Sequence, residues 1–353
     1  MAELNNIIFL FFVVFFGYYF SKHILFIFNK SKSKLFIDNQ FRKPQAFHNE
    51  SIYRLGGIIV YSLLILVFLY LYFFHNIFYF EYLSFCTLFF ILGLVDDLHI
   101  KIPPKFRLII MILLLIFLII YNQFYIEKTG LGFLNNLLEI DIFALMFMCL
   151  CFLFIINGAN LIDGFDGLLG IHALIIFIIL FFINLLYGEN NLTHYLLYFC
   201  LLILIFLKFN FPQAQIFLGD SGAYLVGALI AVSVIKTSIL HPLISPFFFC
   251  ILLFYLFFEV FFSFFRKLFV VRQSPLFPDS KHLHMLLYKF FLKQNKKTAN
   301  LHYKVSLYIN LIYLCLLAPG IIFINNGLFC RYYFFSLLIF YIYFYRLLNK
   351  RVK

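Results

Sequence analysis

Long runs of Phe, Ile and Leu alternate with short polar segments along the whole chain. Most runs reach or approach the roughly 20 residues that carry a helix across a bilayer. The pattern predicts about eleven membrane-spanning helices, near residues 4–28, 57–75, 77–95, 106–125, 140–157, 168–187, 195–210, 223–240, 244–265, 302–324 and 328–348. The run at 195–210 is the shortest. No fixed-period repeat and no low-complexity linker divides the chain, so residues 1–353 read as one domain. The expected fold is all-α: a polytopic helical membrane protein whose loops carry the chemistry.

Composition excludes the soluble alternative. Of 353 residues, 65% are hydrophobic and only 12% charged, with a mean hydropathy of +1.01, which is too apolar for a water-soluble domain. The first run follows MAELNN, with no basic residue before it and no small-residue cleavage site after it, so it reads as a membrane helix rather than a leader. The seven Cys lie mostly inside apolar runs and form no CxxC, and so read as packing residues.

Charge sets an orientation. The net +12 is unevenly shared. Lys30, Lys32, Lys34, Arg42, Lys43 and Arg54 fall in the loop at 29–56, and a second basic group, from Arg266 to Lys297, in the loop at 266–301. With eleven spans these loops share one side with the segments near 96–105, 157–167 and 208–222 and with the terminal NKRVK, whereas the other side holds Lys128, Lys236 and Arg331. An excess of Lys and Arg marks the cytoplasmic side, which predicts an outside N-terminus and an inside C-terminus.

Five polar clusters fall on that same side: DNQFRKPQAFHNESIYRLGG (38–57), LVDDLHIKIPPKFRL (94–108), NGANLIDGFDG (157–167), KFNFPQAQIFLGDSG (208–222) and RQSPLFPDSKHLHMLLY (272–288). Their gathering on one face predicts a single composite site. Asp96 and Asp97 are adjacent at a helix mouth, where two close carboxylates repel and one keeps a proton or both bind a cation. Asn157, Asn160 and Asp163 are spaced three apart, on neighbouring parts of one helix face, and offer the oxygen ligands Mg²⁺ prefers. Gly164 and Gly167 predict a break in that helix. In GDSG (219–222), Asp220 precedes an apolar helix whose free N–H groups would suit a diphosphate. His282 and His284 are expected in a basic loop able to hold phosphate. Each cluster alone is also compatible with ordinary solvated or helix-packing residues.

Together the segments resemble the polyprenyl-phosphate N-acetylhexosamine-1-phosphate transferases. The resemblance is carried by RLGG at 54–57, VDDL at 95–98, NxxNxxDGxDGL at 157–168, IFLGDSG at 216–222 and SPLFPDSKHLHMLL at 274–287, and it covers about 38–288. The chain departs from the family pattern at Ile100, where a third acidic residue is common, at Met285, where a third His is common, and at Ser51 and Tyr53, where Pro is common before the Arg-Gly-Gly motif.

The resemblance implies a phosphotransferase that moves a sugar-1-phosphate from a UDP-sugar to undecaprenyl phosphate and releases UMP, as the first membrane step of a cell-surface glycan. It implies Mg²⁺, with Mn²⁺ as a substitute, held by Asp220 with Asn160 and Asp163. Asp96 or Asp97 would deprotonate or position the lipid phosphate, so the expected catalytic residues are Asp96, Asp97, Asp163, His282 and His284. Asp166, Asn157, Arg54, Lys105 and Arg272 are the expected substrate-binding residues. The implied partners are the UDP-sugar, undecaprenyl phosphate and the lipid bilayer, with no nucleic acid and a homodimer left open. The implied location is the bacterial inner membrane with the site in the cytoplasm. A transporter would spread polar groups along its spans toward both faces, and an intramembrane aspartyl protease would need two Asp facing each other within helices, with Gly where Phe217 stands. Neither fits the one-sided pattern as well.

Overall fold

Among the described residues of the computed structural model (2–31, 35–38, 51–100, 102–275, 279–294 and 301–352), nine helices are long and apolar enough to cross a membrane. In chain order the helices are α1 (Ala2–Ser31), α2 (Gly56–His75), α3 (Phe80–Asp97), α4 (Pro104–Asn122), α5 (Gly132–Leu138), α6 (Asp141–Ile162) and α7 (Leu168–Leu186). They continue with α8 (Asn190–Asn210), α9 (Gly219–Leu240), α10 (Pro246–Leu252), α11 (Phe254–Phe265), α12 (Leu283–Gln294), α13 (Leu301–Ile322) and α14 (Gly327–Val352). Helices α10 and α11 form a pair bent by 76°, which as one span would make ten. Helix α3 is 18 residues long and carries Glu81, Asp96 and Asp97, an acidic load that separates it from the apolar spans. With α3 and the bent pair, a helix overlaps each of the eleven apolar runs, and the protein is a polytopic helical membrane protein. Lys32, Lys34, Arg42, Lys43, Lys296 and Lys297 lie outside the described residues.

The run at 195–210 is not short. Helix α8 begins at Asn190 and reaches 21 residues, because Leu192 and the buried Thr193 and Tyr195 extend its packed face toward the N-terminus. Thr193 donates its hydroxyl to the Glu189 carbonyl at 2.8 Å, which satisfies that buried hydroxyl.

Helix α9 is the axis of the bundle and packs chiefly against α3 and α6. Its sequence, GDSGAYLVGALIAVSV, is rich in small residues, and in a membrane small residues let helix backbones approach closely. A Cβ on Gly227 would come within 2.8 Å of the Ile156 Cα, and one on Gly93 of α3 within 2.4 Å of the Asp220 carbonyl oxygen. Phe11 of α1, Phe106 of α4 and Ile339 of α14 are exposed, as lipid-facing side chains are. The small-residue seams therefore draw α3, α6 and α9 together, and their polar ends meet at one point.

Candidate active site

The N-terminus of α9 is the centre of the polar site, and the chain has already filled it. The Asp97 carboxylate, with no exposed surface, accepts the Asp220 N–H at 3.0 Å and the Ser221 N–H at 2.9 Å. The first N–H groups of a helix have no partner inside it, and they carry partial positive charge. The expectation that these N–H groups would serve a diphosphate is therefore corrected. Their anion is Asp97, supplied by α3 from 123 residues away. Gly219 enters the helix at φ +77°, and a Cβ there would sit 2.7 Å from an Asp97 oxygen; in both respects glycine is what lets the carboxylate in.

Asp96 and Asp97 do not crowd each other as their adjacency implied. Successive side chains on a helix point about 100° apart, and each of these finds its own cation. Arg107 of α4 donates to Asp96 at 2.7 Å, while Arg54 lies 3.6 Å from both Asp97 and Asp220. Arg54 is held by backbone pairing on either side of it. Its N–H donates to the Phe36 carbonyl at 2.7 Å, Phe217 N–H to the Tyr53 carbonyl at 2.9 Å, and Gly56 and Gly57 to the Phe217 and Leu218 carbonyls at 2.9 and 2.8 Å. RLGG and IFLGDSG are thus two edges of one structure.

The DGFDG turn closes the same site. Helix α6 ends at Ile162, Asp163 caps it, and α7 starts at Leu168 after Gly167 at φ +77°, so the break expected at these glycines is present. Burial, with the neighbouring Asp220 carboxylate adding to it, pushes the Asp163 carboxyl up to about 8 against the pull of Arg54. Burial also pushes Asp166 up to about 6, opposed by the Ala214 N–H, which donates to it at 3.4 Å. Asn210, an amide that sequence reasoning missed, fastens this turn to the next loop: it accepts the Gly167 N–H at 2.7 Å and donates to the Ile216 carbonyl at 2.9 Å.

Asn157 donates to the Leu153 carbonyl at 2.8 Å on its own helix, and Asn160 stands one turn before Asp163. Lys105 and Arg272 are exposed, and among the described residues no ion pair joins either to the carboxylates. In their place stands Arg107, the cation sequence reasoning passed over. The histidines also differ from expectation. His284 lies on α12 rather than in a loop, because Leu283, Met285, Leu286 and Leu287 give that segment a buried apolar face and carry His284 inward with it. It meets the Tyr255 hydroxyl at 3.2 Å. His282, just before α12, is 1% exposed and pairs with Glu259 at 3.0 Å. Phe165, inside the DGFDG turn, packs its ring 5.4 Å from that of His284, so the histidine segment adjoins the carboxylate turn.

Around one guanidinium, then, stand three carboxyl groups, Asp97, Asp163 and Asp220; burial raises Asp163, and the charges of Asp220 and Asp97 add to that. Among the described residues no three His, Cys, Asp or Glu side chains form a closed metal cage. Mg²⁺ does not ask for one, since it commonly takes one or two carboxylates and completes its shell with water and substrate phosphates. Excess negative charge on hard oxygen donors fits such an ion.

The chain also matches known proteins. Residues 79–238, which contain α3, α6, the DGFDG turn and most of α9, match glycosyl transferase family 4. The undecaprenyl-phosphate alpha-N-acetylglucosaminyl 1-phosphate transferase of Thermotoga maritima is 32% identical over 228 residues, covering 63% of this chain and 66% of that protein. A phospho-N-acetylmuramoyl-pentapeptide-transferase of Dictyoglomus turgidum is 30% identical over 244 residues, 67% of this chain and 74% of that protein. One from Campylobacter jejuni is 29% identical over 203 residues, 50% and 58%. The matches to the Thermotoga and Campylobacter proteins span less than two thirds of those relatives' length. The chain belongs to glycosyl transferase family 4, among the polyprenyl-phosphate sugar-1-phosphate transferases.

Proposed function

We propose that this protein transfers an N-acetylhexosamine-1-phosphate from a UDP-sugar to undecaprenyl phosphate at the cytoplasmic face of the bacterial inner membrane, as the first membrane step of a surface glycan. The observation that carries the reading is the convergence of Asp97, Asp163, Asp220 and Arg54 on the N-terminus of α9, at the polar end of a membrane bundle. A lipid-borne phosphate and a water-borne nucleotide can meet at that level. The basic loops favour the cytoplasm as its side.

In this reading an oxygen of the lipid phosphate attacks the β-phosphorus of the UDP-sugar, the bond to the α-phosphate oxygen breaks, and UMP leaves. Such transfers depend on charge neutralisation and alignment more than on covalent help from the protein. Asp97 has its oxygens committed to α9 and Arg54, so its part is to fix Gly219, Asp220 and Arg54 in place. Asp96 and Arg107 stand at the rim, with side chains 10% and 29% exposed, where the guanidinium draws the acceptor phosphate and the carboxylate takes its proton. Asp163 and Asp220, with Asn160, would hold Mg²⁺, which when bound supplies positive charge to the diphosphate. Asp166 and Asn157 would take part in binding the nucleotide.

The test is turnover by detergent-purified protein given undecaprenyl phosphate, Mg²⁺ and each of several UDP-sugars, read as UMP release and lipid product. The proposal expects one UDP-N-acetylhexosamine to be used, with activity lost in EDTA and in Asp220→Asn. Turnover that survives EDTA would overturn the metal assignment, and release of UDP instead of UMP would overturn the reaction.

A further inference from the structure

A carboxylate lies buried behind the histidine segment. Glu259 sits in the middle of YLFFEVFFSFF on α11, 1% exposed, where an ionisable side chain is costly unless satisfied. It is fully engaged by three elements. Its Oε1 accepts from His282 Nδ1 at 3.0 Å and from the Leu283 N–H at 3.1 Å, and its Oε2 accepts the Tyr341 hydroxyl of α14. The ring of His284 lies parallel to that of His282, with centroids 5.7 Å apart and planes 5° apart. Arg266 pairs with Asp279 at the start of the same turn, and Lys281 donates its N–H to Asp279 at 3.1 Å. Backbone and side chain of His282 are therefore both set from behind by one carboxylate.

The two ring nitrogens of His282 have different fates. Nδ1 is committed to Glu259. Nε2 is not among the buried polar atoms lacking a partner, whereas the Nε2 atoms of His284 and His172 are. A phosphate has only acceptor oxygens, so Nε2 can bind it only as N–H; with Nδ1 already donating, that requires the doubly protonated ring.

We propose that Glu259 is the positioning residue of the site, holding His282 by Nδ1 so that Nε2–H is presented to a phosphate oxygen of the donor nucleotide. This rests on the transfer reading above and adds to it a residue that does not touch substrate. The charged and polar groups around the His282 ring are Glu259 and Tyr255 of α11, Tyr341 of α14, His284 of α12, and Asp279 with Arg266 at the turn. Tyr341 ties the pair to α14.

Full-length protein with ¹⁵N-labelled histidine tests this directly. The His282 signal is assigned by its loss in His282→Gln, and spectra are taken with and without UDP-N-acetylglucosamine. We expect His282 protonated at Nδ1 in the wild type and at both nitrogens when the nucleotide is bound. In Glu259→Gln, which keeps the shape and removes the charge, we expect the nucleotide-bound ring to lose the second proton, and Glu259→Asp to restore part of it. An unchanged His282 state in Glu259→Gln would overturn the proposal.

A kinetic cycle gives the second arm. Glu259→Gln should lower kcat/KM about 10- to 100-fold, by analogy with the range seen when the partner behind a metal-bound histidine is removed. Added to His282→Gln it should cost less than 2-fold more, because the two act as a unit. Multiplying fold-losses would assign Glu259 to helix packing and refute the positioning role. The arms separate the two claims: if wild type turns over no UDP-sugar the transfer reading fails, while the nitrogen spectra still decide whether Glu259 governs His282.

Discussion

Replacing Asp97 by Asn alters one atom of the side chain and removes its charge, and the account makes that change costly to the fold. Both Asp97 oxygens accept N–H groups of α9, at 3.0 and 2.9 Å, in a place with no exposed surface. The amide can accept one of them. Its NH₂ then faces the other N–H, donor against donor, and an unsatisfied buried donor costs about 1–3 kcal/mol. Arg54, 3.6 Å away, loses a counter-ion, but burial and the Asp220 carboxylate already oppose a charge on Asp97, so losing the charge itself adds little. The cost is about 1–3 kcal/mol, which at this chain length lowers the unfolding temperature by roughly 1–4 °C. The protein has no Trp, so the assay is a thiol-reactive dye reporting exposure of the buried Cys86, Cys149, Cys200 and Cys330 during heating. Asp220→Asn is the control. Its side chain is 25% exposed and pairs with Arg54 at 3.6 Å, so it should shift the transition by less than about 1 °C while abolishing turnover. A transition in Asp97→Asn no lower than that of Asp220→Asn would refute the anchoring role.

Other outcomes follow from the same geometry. Asp163 is raised by burial to about 8 from 3.8, so the folded protein holds a proton that the unfolded chain releases. Between those values stability of the metal-free protein must therefore fall as pH rises. Asp163→Asn, which cannot ionise, should be more heat-stable than wild type at pH 8 and should flatten that slope; a steeper slope would contradict the assignment. Since a metal must displace the proton, Mg²⁺ affinity by calorimetry should rise with pH up to about 8, approaching tenfold per unit for one proton released; a pH-independent affinity would count against Asp163 as a ligand. Arg107→Ala should raise the KM for undecaprenyl phosphate at least tenfold and leave that for the UDP-sugar within twofold, because its partner is Asp96 at the rim. Gly93→Ala puts a methyl 2.4 Å from the Asp220 carbonyl and should lower thermal stability by about 1–3 kcal/mol as α3 is pushed from α9.

The sequence showed more of the fold than of the site. Runs of Phe, Ile and Leu report spans because the bilayer imposes length and apolarity on every one of them, whereas the start of α8 is hidden because its first turn is polar in sequence, although Leu192 and Thr193 within it are buried. The carboxylates were visible as charges in apolar surroundings. Their partners were not, since no periodicity links Asp97 to N–H groups 123 residues on, and adjacency on paper hid that Asp96 and Asp97 point to different cations. Arg107 was passed over for Lys105 although both lie in PPKFRL; Pro104 starts α4, and the helical turn that follows decides which cation faces α3. Glu259 carried a readable signal, a lone acid in a run of Phe, and was missed because it belongs to no motif.

The central claim is that the carboxylates at the head of α9 serve sugar-1-phosphate transfer to a lipid phosphate. It is tested most directly by UDP-N-acetylhexosamine labelled with ³²P at the β-position, incubated with the purified protein, Mg²⁺ and undecaprenyl phosphate, then separated into lipid, UMP and free phosphate. The account predicts label in the lipid fraction in one-to-one amount with unlabelled UMP, absent in Asp220→Asn. Label that leaves as UDP or as free phosphate, with an unlabelled glycolipid or none, would contradict it.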